Sequence, residues 1–401
     1  MRGGLRIGRL FGIDLTVDFT WGLIFLLMSW NLTAVFQTWH PTWSLGACVL
    51  VAIVATLLFF GSVIAHELAH ALVARSFGMR TRQIRLFLFG GVSDIEHEPN
   101  SAGAEFWMAI VGPLTSFGLA LLFFVVGGAT VPMRPSFDPT NAFESLSHLS
   151  PLSTLLLWLA PVNLMVGAFN LIPGFPLDGG RVLRAVLWKS TGDLHHATFA
   201  ASIVGRTIGW CFVVAGIATV FGARVPLLGE GAGSGLWLAF IGWFLSSAAT
   251  ESYQALQVQE IMAGVRVADL MRRSGYAVQP QASVGLVAVD WFMRSREHAF
   301  PVVDRDNRLV GLVSVGDLRK VPTTAWNETS VAEIMTPRSR LAVVAANDAA
   351  EQALGKLSEL DVNQLPVMDG DVLVGILSRG DIARWLELRV GARAIGSPRT
   401  V

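Results

Sequence analysis

His66-Glu67-Leu68-Ala69-His70 lies inside a stretch, residues 44–73, that is otherwise almost wholly apolar. On a helix, positions i and i+4 share a face, so both imidazoles can bind one zinc ion. Glu67, one residue along, can reach a reacting water without being a ligand. A chance match is the competing reading. The apolar setting argues against it, because two His and a Glu buried in lipid without a partner are costly, and ionisable residues inside spans are functional candidates by default.

Outward from this motif the front of the chain is membrane-like. Of its 401 residues 52% are hydrophobic and only 15% charged, with 13 Trp, 24 Phe and no net charge; mean hydropathy is +0.53. That excludes a disordered chain, argues against an ordinary soluble enzyme, and gives no sign of nucleic-acid binding. Two cysteines in apolar stretches, Cys48 and Cys211, exclude a disulfide scaffold or a cysteine zinc cluster. Six apolar stretches are long enough to cross a bilayer, near 19–37, 44–73, 106–127, 151–172, 197–222 and 235–250. Arg2, Arg6 and Arg9 precede the first, Arg75, Arg80, Arg82 and Arg85 follow the second, and Arg181, Arg184 and Lys189 follow the fourth. The intervening loops carry only Arg134 and Arg224, so the positive-inside rule puts both termini in the cytoplasm.

The fourth stretch ends in Asn170-Leu171-Ile172-Pro173-Gly174-Phe175-Pro176-Leu177-Asp178-Gly179-Gly180-Arg181. Its prolines and glycines break the helix, and broken backbone at membrane depth is tolerated only where protein or a watery cavity encloses it. Asp178 stands in that break. It suits a third zinc ligand, since catalytic zinc takes three protein ligands, and it equally suits the N-cap of a helix beginning near Gly180.

Together, the intramembrane His-Glu-x-x-His and the later Asn-x-x-Pro-x-x-x-x-Asp-Gly resemble the site-2 protease family of intramembrane zinc metalloproteases. The closer resemblance is to the branch with a six-span core and C-terminal CBS modules. It implies His66, His70 and Asp178 as zinc ligands, Glu67 as general base, and Asn170 as a polar group steadying the substrate carbonyl. Phe89-Gly90-Gly91-Val92 resembles the family's Gly-Gly loop, which implies a segment holding extended substrate. Arg82–Val92 alternates as a strand or hairpin would, and an exposed edge can accept a peptide by strand addition; a plain connecting hairpin is the other reading. Gly112-Pro113 resembles the family's Gly-Pro turn and is read here as packing rather than chemistry. Asn163 is either a second polar group or an interhelical hydrogen-bonding residue. Asp18 stands where many relatives have a histidine. Arg206 either snorkels to the interface or pairs with a carboxylate. His40, His97, His148 and His195-His196 are read as loop or interface residues.

The back of the chain differs. Residues 256–401 hold 34 of the 60 charged side chains. Val267-Ala268-Asp269-Leu270-Met271 recurs as Val331-Ala332-Glu333-Ile334-Met335, and Gly311–Asp317 recurs as Gly375–Asp381, both offset by 64. The repeat resembles tandem CBS modules, about 265–322 and 329–390. That implies an adenine nucleotide near Ser314, Asp317, Ser378 and Asp381, and a homodimer through the modules. Ser and Asp at helix starts also serve as caps.

The expected architecture is therefore an α-helical polytopic membrane protein with a short β segment after the second span, domain 1–255, followed by an α/β tandem CBS pair, 256–401. The expected function is an intramembrane zinc endopeptidase acting on a single-span membrane protein within lipid. A CBS-regulated transporter or channel is the first alternative, against which stands the lack of an inverted-repeat signal. An inactive scaffold is the second.

Overall fold

The computed structural model describes residues 4–88, 90–95, 99–131, 146–223, 231–273, 277–295 and 297–396. The chain forms two compact units, Met1–Gln254 and Ala255–Val401.

The first unit begins with a hairpin, β1 (Gly4–Leu10) and β2 (Ile13–Asp18). Leu10 faces Ile13, so the turn is the two residues Phe11 and Gly12. Both have positive φ, 50° and 82°, which the tightest hairpin turns require. Helices α1 (Phe19–Trp39) and α2 (Leu45–Ser76) follow, then β3 (Thr81–Phe87) and β4 (Gly90–Ile95). Next come α3 (Ala102–Ala129), α4 (Pro151–Asn170), the short α5 (Asp178–Thr191), α6 (Leu194–Val220) and α7 (Ala232–Met262). Side chains just ahead of the long helices cap them: Asp18, Ser44, Ser101, Ser150 and Asp193 each accept from a first-turn backbone N–H.

Among the described residues, α1, α2, α3, α4, α6 and α7 are long and apolar enough to cross a membrane. Leu26, Trp30, Leu121, Phe124 and Trp237 are more than half exposed on them, a distribution that suits lipid rather than water. Inside the bundle, Leu32 and Phe36 of α1 pack with Ala52 and Ala55 of α2 and Leu159 of α4. The sixth helix runs well past the expected 235–250, since Glu251–Met262 contains neither Gly nor Pro to stop it.

The four strands form one sheet in the order β1-β2-β3-β4. Arg6 and Arg9, read above only as a flank of the first span, are thus part of the sheet. Parallel pairing sets Leu15 beside Ile84. Ile13, Leu15 and Ile84 bury against Ala71 and Leu68 of α2, so the sheet lies on the segment that carries the histidines. β4 is the edge strand beside that helix.

In the second unit the order is α8 (Val267–Leu270), β5 (Arg272–Arg273), α9 (Val284–Val287), β6 (Ala299–Val303), β7 (Leu309–Ser314) and α10 (Val315–Leu318). The repeat supplies α11 (Val331–Ile334), β8 (Thr336–Pro337), β9 (Val344–Ala345), α12 (Ala350–Glu359), β10 (Gln364–Asp369), β11 (Val372–Ser378) and α13 (Arg379–Gly396). The repeats exchange their first strands. β5 pairs with β11 and β8 pairs with β7, so each sheet is completed by the other repeat.

Candidate metal centre

His66 and His70 are one helical turn apart on α2, with ring centroids 4.8 Å apart. Both are buried, 4% and 8% exposed. Asp178 is the first residue of α5. Leu177 takes the N-cap position and makes no side-chain capping bond. The Asp178 carboxylate instead turns to the imidazoles: Oδ2 lies 3.1 Å from His66 Nε2 and 3.2 Å from His70 Nε2. Three ligand atoms of these residues fall within 4.8 Å of one another. Tetrahedral ligands at zinc distances of about 2.0–2.1 Å sit about 3.3–3.4 Å apart, so both measured separations fit a shared zinc.

The hydrogen bonds on the far side of each ring sharpen that fit. His70 Nδ1 is 2.5 Å from the Met108 carbonyl, which can only accept. The proton therefore sits on Nδ1, and a neutral ring would present its lone pair at Nε2. That Nε2 is buried and makes no hydrogen bond among the described residues. His66 Nδ1 is 2.9 Å from Ser116 Oγ. With Nε2 of both rings facing one carboxylate oxygen, the site suits a cation held between them. The outward nitrogens are held as those of metal-ligating histidines usually are.

Room for the two rings comes from α3. A Cβ on Gly112 would lie 2.6 Å from His66 Nε2 and overlap the His70 ring. The Gly-Pro pair read as packing is therefore packing that the imidazoles themselves require. Glu67, on the adjoining face of α2, accepts from Ser93 Oγ at 2.7 Å through Oε2. Its neighbour on β4 is Gly91, where a Cβ would come within 2.6 Å of Glu67 Cγ. The edge strand thus lies directly on the glutamate.

Ser93, Ser116 and the Met108 carbonyl were not among the expected site residues. Ser116 had a faint signal, small residues four apart in Gly112-x-x-x-Ser116, and Ser93 continues the alternation begun at Arg82.

The remaining expectations fall as follows. Asn170 ends α4 and spends one N–H on Val166 O at 3.0 Å. Asn163 is buried and donates to Leu159 O within its own helix. Gly90 and Gly91 open β4; Phe89 and His97 lie outside the described residues. Asp18 caps α1. Arg206 is exposed on α6 and has no ion pair among the described residues, which favours snorkelling. His40 lies in the connection after α1, where it is fully buried, 2.8 Å from Thr154 Oγ1 and stacked on Trp43.

At the repeats, Ser314–Asp317 and Ser378–Asp381 each form reciprocal capping contacts. Asp317 Oδ1 also accepts from Lys320 at 2.7 Å. Burial pulls its pKa up, but the Lys320 and Ser314 hydrogen bonds outweigh that and leave it lowered. Asp381 Oδ1 is 2.9 Å from Arg272 Nε, and the same guanidinium also pairs with Glu297. The hydrogen bond from Arg272 holds Glu297 below the usual carboxylate range.

Helices of membrane length around a buried cluster of metal-ligating side chains are the architecture of an integral-membrane metalloenzyme. Residues 54–215 match Peptidase family M50, and residues 267–323 and 331–388 match the CBS domain. Rip3 of Mycobacterium tuberculosis is 33% identical over 400 residues, 97% of this chain and 94% of its own. The zinc metalloprotease MJ0392 of Methanocaldococcus jannaschii is 26% identical over 388 residues, 97% of each. The solved site-2 protease from Methanocaldococcus jannaschii is 25% identical, covers 62% of this chain and 95% of its own, and superposes with a TM-score of 0.40. The chain belongs to peptidase family M50: it is a multi-pass membrane zinc metalloprotease of the site-2 protease type with tandem CBS domains.

Proposed function

We propose that residues 1–255 form an intramembrane endopeptidase domain that cuts a membrane-spanning segment of a single-span protein, with zinc held by His66, His70 and Asp178. The observation that carries this reading is the bare Nε2 of His70, aimed with His66 Nε2 at one carboxylate oxygen in a buried site. Zinc in such a setting supplies Lewis acidity towards a carbonyl and makes water a nucleophile at neutral pH. Glu67 takes the proton of the attacking water as its oxygen bonds to the carbonyl carbon. The glutamate then returns that proton to the amine nitrogen as the C–N bond breaks. Ser93 holds Glu67 Oε2 and so leaves Oε1 for the water. Gly90 and Gly91, on the edge strand beside Glu67, suit a substrate backbone unwound from its helix and added as a further strand. Asn170 retains one amide N–H to offer the carbonyl.

The test is co-expression of candidate single-span proteins with wild type and Glu67→Gln. Cleavage by wild type alone, with equal zinc in both, supports the reading. Equal cleavage by both removes Glu67 from the chemistry. In the same proposal both termini and residues 256–401 are cytoplasmic. Cysteine reagents should then label near Arg75 from the cytoplasm and near Pro139 from outside.

We propose further that the CBS pair, 256–401, dimerises and takes an adenine nucleotide. The exposed Lys320 that engages Asp317 is readily displaced by ribose hydroxyls, whereas Arg272 holds Asp381 and Glu297 together.

A further inference from the structure

One stripe of α3 carries Glu105, Met108, Gly112 and Ser116, spaced three, four and four residues apart. Three of these serve the histidines directly: Met108 O and Ser116 Oγ hold the outer ring nitrogens, and Gly112 makes room for the rings. The fourth is Glu105. It is fully buried, and so is nearly all of Arg184 on α5, at 5% exposed. Arg184 Nε donates to Glu105 Oε1 at 2.5 Å, and its Nη2 reaches the same oxygen. Arg181 Nε stands 3.9 Å away. The Arg184 guanidinium also lies over the Phe175 ring, 5.3 Å from its centre, in the broken segment before α5.

The spacing along the two helices is matched. From Glu105 to Gly112 is about 10 Å of rise on α3, and from Arg184 back to Asp178 is about 9 Å on α5. The helices therefore run antiparallel with two points of attachment. Glu105 meets Arg184 at one, and Asp178 meets the imidazoles beside Gly112 at the other. A buried apolar contact would hold the helices together equally well, but it would tolerate sliding. A buried ion pair in which two guanidinium donors meet one carboxylate oxygen resists that sliding.

Resting on the reading that this centre holds zinc, we propose that Glu105, through Arg184 and Arg181, is a positioning residue for the metal site. It sets where α5 lies along α3, and so holds Asp178 Oδ2 against the two Nε2 atoms. Neither Glu105 nor the arginines touch the metal.

The experiment uses the full chain in detergent: wild type, Glu105→Gln, and the neutral pair Glu105→Gln/Arg184→Met. Zinc affinity is measured by chelator competition, and the cobalt-substituted proteins are compared by visible absorption. Thermal unfolding of the metal-free proteins tracks the fold. The expected result is a loss of zinc affinity of about 10- to 100-fold in both variants, the usual range for partners behind a metal ligand. A weakened or shifted cobalt spectrum should accompany it, while the metal-free neutral pair unfolds near the wild-type temperature. Should Glu105→Gln fail to fold, the neutral pair decides alone, since it removes both members of the buried Glu105–Arg184 pair together. A folded neutral pair that binds zinc within twofold of wild type, with an unchanged cobalt spectrum, overturns the proposal. A wild-type protein that binds neither metal overturns the underlying reading of the centre instead.

Discussion

Replacing Gly112 by alanine adds a single methyl at the most crowded point of the centre. Its carbon would sit 2.6 Å from His66 Nε2 and overlap the His70 ring. Comfortable heavy-atom contact begins at about 3.5 Å, so the rings must retreat by about 1 Å. A metal site holds its ligand distances to about ±0.2 Å, so this retreat is several times what zinc allows. Forcing a methylene into a packed interior costs about 1–3 kcal/mol. If the strain is relieved by releasing the metal, zinc affinity falls by about five- to 150-fold. Gly118→Ala is the control: it lies on the same helix, and nothing stands within 4 Å of its added carbon. The assay is zinc per chain in the purified proteins, with chelator competition for affinity and cleavage of a co-expressed substrate for activity. Gly112→Ala should lose both while Gly118→Ala keeps both. If Gly112→Ala retained wild-type zinc affinity and cleavage, the close approach of α3 to the imidazoles would not be part of how the site works.

Asp178→Ala should lose zinc, whereas Glu67→Gln should retain it and lose cleavage; metal analysis beside a cleavage assay separates the two roles. Ser93→Ala should keep zinc and slow cleavage by about 10-fold or more, because it frees Glu67 to turn, and an unchanged rate would make the 2.7 Å hydrogen bond incidental. Asp317→Asn should abolish AMP binding to the full chain by calorimetry while Asp381→Asn leaves it intact, since Arg272 already occupies Asp381; the opposite ranking would refute the assignment. Arg272 depresses the Glu297 pKa below its ordinary 4.5, so this carboxylate adds stability above that pH and loses it as pH falls through the lower folded value. Backbone exchange protection across β5 and β11, corrected for intrinsic rate, should therefore fall below about pH 4.5 in wild type and change less in Glu297→Gln.

The membrane architecture was legible because its signals are local. A run of 20 apolar residues reads as a span whatever surrounds it, and His66 with His70 shares a helix face by arithmetic alone. Asp178 was ambiguous because the same residue type suits a ligand and an N-cap. Only the backbone of Leu177, which takes the cap position, turns its carboxylate to other work. The β1–β2 hairpin was missed although Ile13, Leu15 and Val17 alternate. Its turn is Phe11-Gly12, and a phenylalanine at positive φ is a poor turn signal. The carbonyl of Met108 had no signal at all, since every residue has one and its use depends on how α2 and α3 pack.

The CBS repeat carries a different lesson. An offset of 64 residues makes Ser314–Asp317 and Ser378–Asp381 look equivalent, and their capping hydrogen bonds are indeed alike. The exchanged first strands break that equivalence. β8 brings Thr336 to the first sheet, whereas β5 brings Arg272 to the second, and these two residues stand 64 apart in the repeat. Threonine is short and neutral, so Asp317 is left with Lys320 from its own turn. Arginine reaches Asp381 and Glu297 at once, and Gln364 steadies Glu297 from the other side at 3.0 Å. In the proposed nucleotide sites, a ligand entering beside Asp381 would have to break the network of Asp381, Arg272, Glu297 and Gln364, while one entering beside Asp317 would displace a single exposed lysine. The two halves of the repeat thus surround their equivalent aspartates differently, with Arg272, Glu297 and Gln364 on the side of Asp381 and Lys320 beside Asp317.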